Sequence, residues 1–336
     1  MTKVKKCNDK VNRDAGKEGQ KSAPLDTLAQ LGTKNEKNTK KARRKYFSNG
    51  LSIGLVEASE RNENSVLKKQ YWNTYHCNSQ IKLYDIDGED VAESSYCNAR
   101  WCMTCSAIRT AKHIIAYAPI VKEWEDACFL TLTQKTVTKE ELPLQIAEMH
   151  KIFTSIKDLA KKKFGRGTLN FKLEGIRKLE STHRPITDLY HPHFHILLKT
   201  MEMGKFVMAE WLNRNCNAGK KGQDLQKANT YTLVELFKYM TKVITPTKKG
   251  ANTPVARAIN TDALDVIFNA MKGTRTVQSF GFKKPVIKKD CKKVKGVTKA
   301  VLHWQDAATD WVDTETGDLF TGYQPSEAFK KLIDNI

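Results

Sequence analysis

At 336 residues, 40% of them hydrophobic, the chain is long enough to bury a sizeable core, as one good-sized domain with appendages or as two modest domains. Its 57 Lys and Arg against 37 Asp and Glu give a net charge of +20, which suits a soluble protein to a polyanion, nucleic acid before anionic membrane. No apolar run reaches spanning length and no apolar segment follows the N-terminal lysines, so the sequence speaks against a membrane helix or secretory signal and predicts a cytoplasmic protein. In that compartment eight cysteines argue for metal rather than for disulfides.

Residues 1–48 are rich in Lys, Asn and Thr and nearly free of aromatic side chains, a composition that buries too little apolar surface to offset chain entropy. They read as a flexible basic arm. Its run Lys40-Lys41-Ala42-Arg43-Arg44-Lys45 suits contact with DNA phosphates or, equally, a solvated charged stretch. Folded structure is expected from near Tyr71, and residues 70–112 read as a cysteine-rich module. There Ile81-Lys82-Leu83-Tyr84 and a turn at Asp87-Gly88 predict a hairpin that carries Cys77 on one arm and returns to Cys97, Cys102 and Cys105. Four thiols so gathered would hold a structural Zn²⁺ like a zinc ribbon, with Cys102-x2-Cys105 the strong part of the pattern. The alternatives are a ligand exchanged for His76 or His113, or buried free cysteines. Cys7, Cys128, Cys216 and Cys291 are scattered and need no special role.

Cys128-Phe129-Leu130-Thr131-Leu132-Thr133 alternates, which predicts an interior strand with Phe129, Thr131 and Thr133 on one face. Ile146, Met149, Ile152, Phe153, Ile156 and Leu159 recur every three or four residues and predict an amphipathic helix ending near Gly165. A strand is expected from Gly175 to Glu180, then a loop with Pro185, then Tyr190-His191-Pro192-His193-Phe194-His195-Ile196-Leu197-Leu198-Lys199. As a strand, this last stretch projects His193 and His195 from one face while Phe194 buries on the other, so two imidazoles sit side by side within reach of one cation. His191 lies on the same face and is open as a third ligand; a histidine-rich surface turn is the competing reading. Strand, helix, strand, loop, strand predicts an α+β fold with an antiparallel β-sheet flanked by helices, and sets Glu180 on a strand beside the histidines.

Thr232 to Lys242 predicts a helix with Leu233, Leu236, Phe237, Met240 and Ile244 on one face and Glu235, Tyr239 and Lys242 on the other. A carboxylate, a phenol and an amine are thereby presented together, although such a polar face is also commonplace without function. Another helix is expected over 263–271, closed by Lys272-Gly273. Residues 286–336 read as a basic linker and a C-terminal β-hairpin tail, Asp310-Trp311-Val312-Asp313-Thr314 and Leu319-Phe320-Thr321-Gly322-Tyr323.

In order and spacing, Phe129-Leu130-Thr131-Leu132-Thr133, His193-Phe194-His195 and Glu235-x3-Tyr239-x2-Lys242 resemble the three motifs of plasmid rolling-circle replication initiators of the HUH endonuclease superfamily. Cys97-x4-Cys102-x2-Cys105 with Cys77 resembles the cysteine motif of the branch that uses one tyrosine and a nearby glutamate, and Gly175 to Glu180 is similar to a strand that branch places before its histidines. The likeness runs from roughly Cys77 to Phe282; the ends have no counterpart, and Met103-Thr104 stands where the family often has a proline. It implies a split βαβ-like HUH nuclease and ligase domain over 113–285, behind the zinc-ribbon-like module. It implies a metal-dependent, site-specific endonuclease and strand transferase in which Tyr239 is the nucleophile, Lys242 lowers the phenol's pKa or contacts the phosphate, and Glu235 is the base for a terminating hydrolysis. Mg²⁺ or Mn²⁺ would be held by His193, His195 and Glu180. The implied partners are plasmid origin DNA, single-stranded or extruded as a hairpin, and the host helicase and DNA polymerase, with a homo-oligomer left open and no membrane partner. The rival readings are a transposase or relaxase of the same superfamily, and a non-catalytic zinc-dependent DNA-binding regulator.

Overall fold

A helix occupies part of the stretch whose composition predicts a mobile arm. The computed structural model describes residues 34–229, 231–237, 245–246, 257–287 and 296–336. Helix α1 (Lys34–Arg61) runs for 28 residues, with Ala42, Phe47, Leu51 and Leu55 buried along it. Lys45 is buried too, and donates to the Tyr75 carbonyl at 2.6 Å and the Ser79 hydroxyl at 2.9 Å. The basic run is therefore partly built into the fold: the Lys41 ammonium lies 5.6 Å from the Trp311 ring centre and the guanidinium of the exposed Arg43 5.0 Å from that of Phe329. Composition alone misses this helix because the surface that covers it comes from the far end of the chain.

After α2 (Lys68–Tyr75), strands β1 (Gln80–Ile86) and β2 (Glu89–Ser94) form the expected hairpin. Asp87 and Gly88 both have positive φ, 54° and 81°, as a two-residue turn that matches strand twist requires. Helix α3 (Met103–Lys122) comes next, its first turn capped by the Cys102 sulfur, which accepts from the Cys105 N–H.

The central sheet is assembled from β3 (Cys128–Thr133), then α4 (Leu142–Gly165), β4 (Gly175–Arg184), β5 (Leu189–Leu198), α5 (Met201–Arg214), β6 (Asp224–Lys227) and α6 (Thr232–Phe237). Two short strands, β7 (Thr245–Pro246) and β8 (Arg257–Ala258), pair with each other before α7 (Thr261–Ala270) and β9 (Val277–Phe280). The sheet has five strands in the order β6-β3-β5-β4-β9, and every pairing is antiparallel. Leu130, Leu132, Leu179, Phe194 and Ile196 bury one face in the main core against Ile146, Met149, Phe153 and Ile156 of α4 and Met203, Val207 and Trp211 of α5. On the opposite face Phe129, Ile176 and Leu197 pack with Tyr117 of α3 and Leu233, Leu236 and Phe237 of α6.

The stretch read as linker and tail supplies β10 (Val297–Gln305), β11 (Asp310–Asp313) and α8 (Glu327–Asp334). Strand β10 pairs with β1, giving a second antiparallel sheet of order β11-β10-β1-β2 that joins the C-terminus to the cysteine-bearing hairpin. Strand β11 pairs with β10 rather than with 319–323, which contributes a single bridge between Leu319 and Val312. Trp311, fully buried, donates its indole N–H to the Asn78 carbonyl at 2.8 Å. The chain end then crosses α1, where a Cβ on Gly50 would overlap Ile333 and one on Gly54 would overlap Ile336; glycine is needed there for close approach. Among the described residues no helix is long and apolar enough to cross a membrane.

One buried carboxylate ties α7 to the first helices. Asp265 is fully buried and accepts from the Tyr71 hydroxyl at 2.6 Å, Ser65 at 2.7 Å, Asn62 at 2.6 Å and Asn269 at 2.8 Å. Asp265→Ala leaves the buried Tyr71 hydroxyl and three half-buried polar side chains without their acceptor. The expected loss is about 3–5 kcal/mol of unfolding free energy, checked by urea titration, and a loss below about 1 kcal/mol would show that water replaces the carboxylate.

Candidate functional site

Strand alternation and register together build the site. Thr131 and Thr133 of β3 stand opposite His195 and His193 of β5, which in turn stand opposite Lys178 and Glu180 of β4. All of these side chains lie on the sheet face that α3 and α6 cover at its apolar end. The Nε2 atoms of His193 and His195 each lie 3.5 Å from Glu180 Oε2. Each ring is held from its other nitrogen: His193 Nδ1–H donates to the His191 carbonyl at 3.0 Å, and His195 Nδ1 is 3.1 Å from the Thr131 hydroxyl. Phe129 stacks on His195 with ring centres 5.4 Å apart and planes 11° from parallel. The site thus begins where the apolar cluster ends.

Lys178 completes the group. Its side chain is 1% exposed and its Nζ is 2.5 Å from Glu180 Oε1, so one carboxylate oxygen meets the ammonium and the other meets the imidazoles. Burial pushes the Glu180 carboxyl up. Hydrogen bonds from His193 and His195 and the charge of Lys178 outweigh it and hold the group well below the ordinary carboxylate range. The three donor atoms of Glu180, His193 and His195 lie within 4.8 Å of one another. A cation about 2.1 Å from each would set neighbouring donors about 3.0–3.4 Å apart, close to the spacing found. Imidazoles oriented through Nδ1 and a carboxylate kept ionised are what a metal requires of its ligands.

His191 stacks on His193 at 5.4 Å between ring centres but falls outside this donor group. Burial first, and then the charges of His193 and Arg184, push its pKa down to about 4. Glu235 is exposed on α6, whose Leu233, Leu236 and Phe237 are buried as the helical wheel predicts. Tyr239 and Lys242 lie outside the described residues. Lys178 is a site residue that sequence reasoning misses; its one signal is a position two residues before Glu180, hence on the same face of the strand.

The four cysteines form a second cluster. Cys77 precedes β1, Cys97 follows β2, and Cys102 and Cys105 open α3, so the hairpin brings its two ends to the helix start. The Sγ atoms are 3.5 Å apart for Cys77 and Cys105, 3.6 Å for Cys77 and Cys102, and 3.7 Å for Cys97 and Cys105. Tetrahedral Zn–S bonds of about 2.3 Å set sulfurs about 3.8 Å apart. Backbone N–H groups of Cys97, Ala99 and Cys105 point at the sulfurs of Cys77, Cys97 and Cys102 at 3.4, 3.4 and 3.5 Å, as thiolates favour. His76 and His113 stand outside the group.

Residues 89–215 match the family model described as Replication protein. In that segment the chain resembles a replication protein. It is 35% identical over 141 residues to Protein rep of Bacillus amyloliquefaciens, covering 39% of this chain and 38% of that one. It is 34% identical over 141 residues to Protein rep of a Bacillus species, covering 39% and 41%, and 26% identical over 118 residues to Protein rep of Staphylococcus aureus, covering 34% and 49%. The alignments thus span about two fifths to one half of these relatives. No solved structure matches the chain. The replication-protein segment contains Cys97, Cys102, Cys105, Glu180, His193 and His195, while Cys77, Glu235 and Tyr239 lie outside it. The likeness to plasmid replication initiators drawn from the motifs is therefore borne out at the level of the family.

The Lys178–Glu180 pair gives a direct test of the site's electrostatics. Lys178→Met leaves Oε1 of the buried Glu180 carboxylate without its counter-charge and is expected to cost about 3 kcal/mol in urea unfolding, whereas Lys178→Met combined with Glu180→Leu recovers most of that loss. Equal stability of the single and double variants would mean that the ammonium is not what keeps Glu180 in place.

Proposed function

We propose that the chain is a plasmid replication initiator of the single-tyrosine branch that nicks one strand at the double-strand origin. The observation that carries this reading is the Glu180–His193–His195 cluster with its ionised carboxylate, on the same sheet face as α6, the helix that leads toward Tyr239. In the proposed reaction the Tyr239 oxygen attacks the scissile phosphorus, the bond to the 3′ oxygen breaks, and a 5′-phosphotyrosine and a 3′-hydroxyl primer result. Lys242, three residues on, would lower the phenol's pKa or contact the phosphate. Glu235, four residues before Tyr239, would take a proton from water in the terminating hydrolysis. Glu180, His193 and His195 would hold a divalent cation, and Mg²⁺ or Mn²⁺ supplies polarisation of a non-bridging oxygen and neutralisation of charge in the transition state. Lys178 acts on this through Glu180, keeping the carboxylate ionised and one oxygen occupied. Cys77, Cys97, Cys102 and Cys105 would hold a structural Zn²⁺. Origin DNA, the host helicase and DNA polymerase are the partners this role requires, and the site of action is the cytoplasm.

The test is cleavage of a single-stranded origin oligonucleotide. Wild-type protein should cut with Mn²⁺ or Mg²⁺, and both excess EDTA and the pair His193→Ala, His195→Ala should abolish cutting. Tyr239→Phe should bind DNA normally yet form no covalent adduct, because loss of one hydroxyl alters neither charge nor packing appreciably. Glu235→Ala should still form the adduct but release DNA poorly, leaving multimeric plasmid. An adduct mapped by mass spectrometry to Tyr231 or Tyr190 would overturn the assignment.

The cysteine cluster is tested by metal analysis. About one Zn²⁺ per chain is expected to co-purify, and Cys102→Ser should lower both zinc content and solubility. Zinc-free protein that stays soluble and active would make these thiols ordinary core residues.

A further inference from the structure

The loop beyond α5 is fastened to the strand edge next to the candidate metal site. Thr133, the register partner of His193, donates its hydroxyl to the Gly222 carbonyl at 2.9 Å and its backbone N–H to Gln223 Oε1 at 2.8 Å. Gln223 Nε2 donates to the Gly219 carbonyl at 2.8 Å and to the Thr133 carbonyl at 3.3 Å, so one side chain pins both ends of the loop. Trp211 adds an indole N–H to the Thr133 carbonyl at 3.2 Å, and Lys135 N–H donates to the Asn217 carbonyl at 3.0 Å. The result is a tight turn, Gly219-Lys220-Lys221-Gly222, closed by the Gly222 N–H on the Gly219 carbonyl at 3.0 Å. A Cβ on Gly222 would stand 2.7 Å from the Thr133 hydroxyl, so glycine permits the close approach that sets the turn beside the site.

What this turn offers to solvent is cationic. Lys220 and Lys221 are both exposed, and among the described residues neither is ion-paired. The next carboxylate along the chain, Asp224, is engaged by Gln226 Nε2 at 3.0 Å. Two adjacent ammonium groups on a rigid backbone hairpin, with no aromatic side chain between them, recognise backbone phosphates rather than base edges. A loose lysine loop would lose side-chain and backbone entropy on binding; here the backbone part is already fixed by the pins on Thr133.

We propose that the Gly219-Lys220-Lys221-Gly222 turn is a phosphate clamp for single-stranded DNA, gripping the strand within a few nucleotides of the phosphate that sits at the Glu180–His193–His195 cluster. The proposal rests on the nuclease reading above and adds a binding element to it. The turn begins just beyond the segment 89–215 that matches the replication-protein family.

The test uses the full-length protein and a fluorescent, mixed-sequence single-stranded oligonucleotide, with affinity read by anisotropy over a range of salt concentrations. Two lost phosphate contacts on a single strand lower the slope of log affinity against log salt by about 1.4, equivalent to about 25-fold weaker binding at 0.1 M salt. The double variant Lys220→Gln, Lys221→Gln should show that change with Mn²⁺ affinity unaltered, and the control Lys161→Gln, Lys162→Gln, on the exposed end of α4, should show much less. An unchanged slope in the clamp variant, or an equal loss in the control, overturns the clamp. The expected slope difference between wild type and the clamp variant, with a wild type that binds DNA yet never cuts it, would instead count against the nuclease reading while the clamp stands.

Discussion

The candidate site depends on a carboxylate kept ionised where water scarcely reaches. Glu180 has an 11% exposed side chain, and burial by itself would favour its neutral form. Three cationic or proton-donating groups reverse that preference, and they reach it because β4 and β5 place Lys178, His193 and His195 on one face in adjacent register. The ammonium takes one oxygen and the imidazoles the other, so the carboxylate is oriented as well as charged. Remove the register and Glu180 loses both imidazoles, keeping only Lys178 of its own strand.

The rest of the central sheet exists to hold that register. One face is sealed completely by α4 and α5, and even its charged member is absorbed there: Arg177 lies 4.7 and 4.4 Å from the ring centres of Phe153 and Phe194 and donates to His150 Nδ1 at 2.9 Å. Burial and the Arg177 charge in turn push His150 down to about 4, so the imidazole is a neutral acceptor. The other face is divided, apolar toward α3 and α6 and polar toward the histidines, with Phe129 at the seam. A slip of one residue in β5 would exchange the two faces and put Phe194 in water, which is why the core enforces the geometry of the site.

Helix α3 links the two cysteine- and histidine-based clusters. Its first turn is fixed by Cys102 and Cys105, and the Met103 N–H donates to Ser48 of α1 at 3.0 Å. Further along, Tyr117 packs into the cluster that covers the apolar half of the site's face, and Thr110 donates to the Phe237 carbonyl of α6 at 2.6 Å. The cysteine cluster therefore anchors one end of a rod whose other end steadies the helix leading to 238–244. The second sheet reinforces that anchor, since β10 lies against β1 and Trp311 caps the Cys77-Asn78 segment.

Local period and side-chain chemistry make part of this architecture legible in the amino-acid order. Alternation sets β3 and β5, the three-to-four spacing sets α4, Asp87-Gly88 sets the hairpin, and the pairing of His193 with His195 on one face comes from a strand's two-residue repeat. These are properties of neighbours in the chain, and they hold whatever the rest of the molecule does. Contacts between residues far apart settle the remainder: that a polar, lysine-rich stretch from Lys34 packs into the core as a helix, and that the Lys-rich tail closes a sheet with β1. In each case the residue's own neighbours are polar and argue for solvent. Burial is decided by a partner that the local pattern cannot contain, as Trp311 and Ile333 are for α1 and Thr133 is for the turn at Gly222.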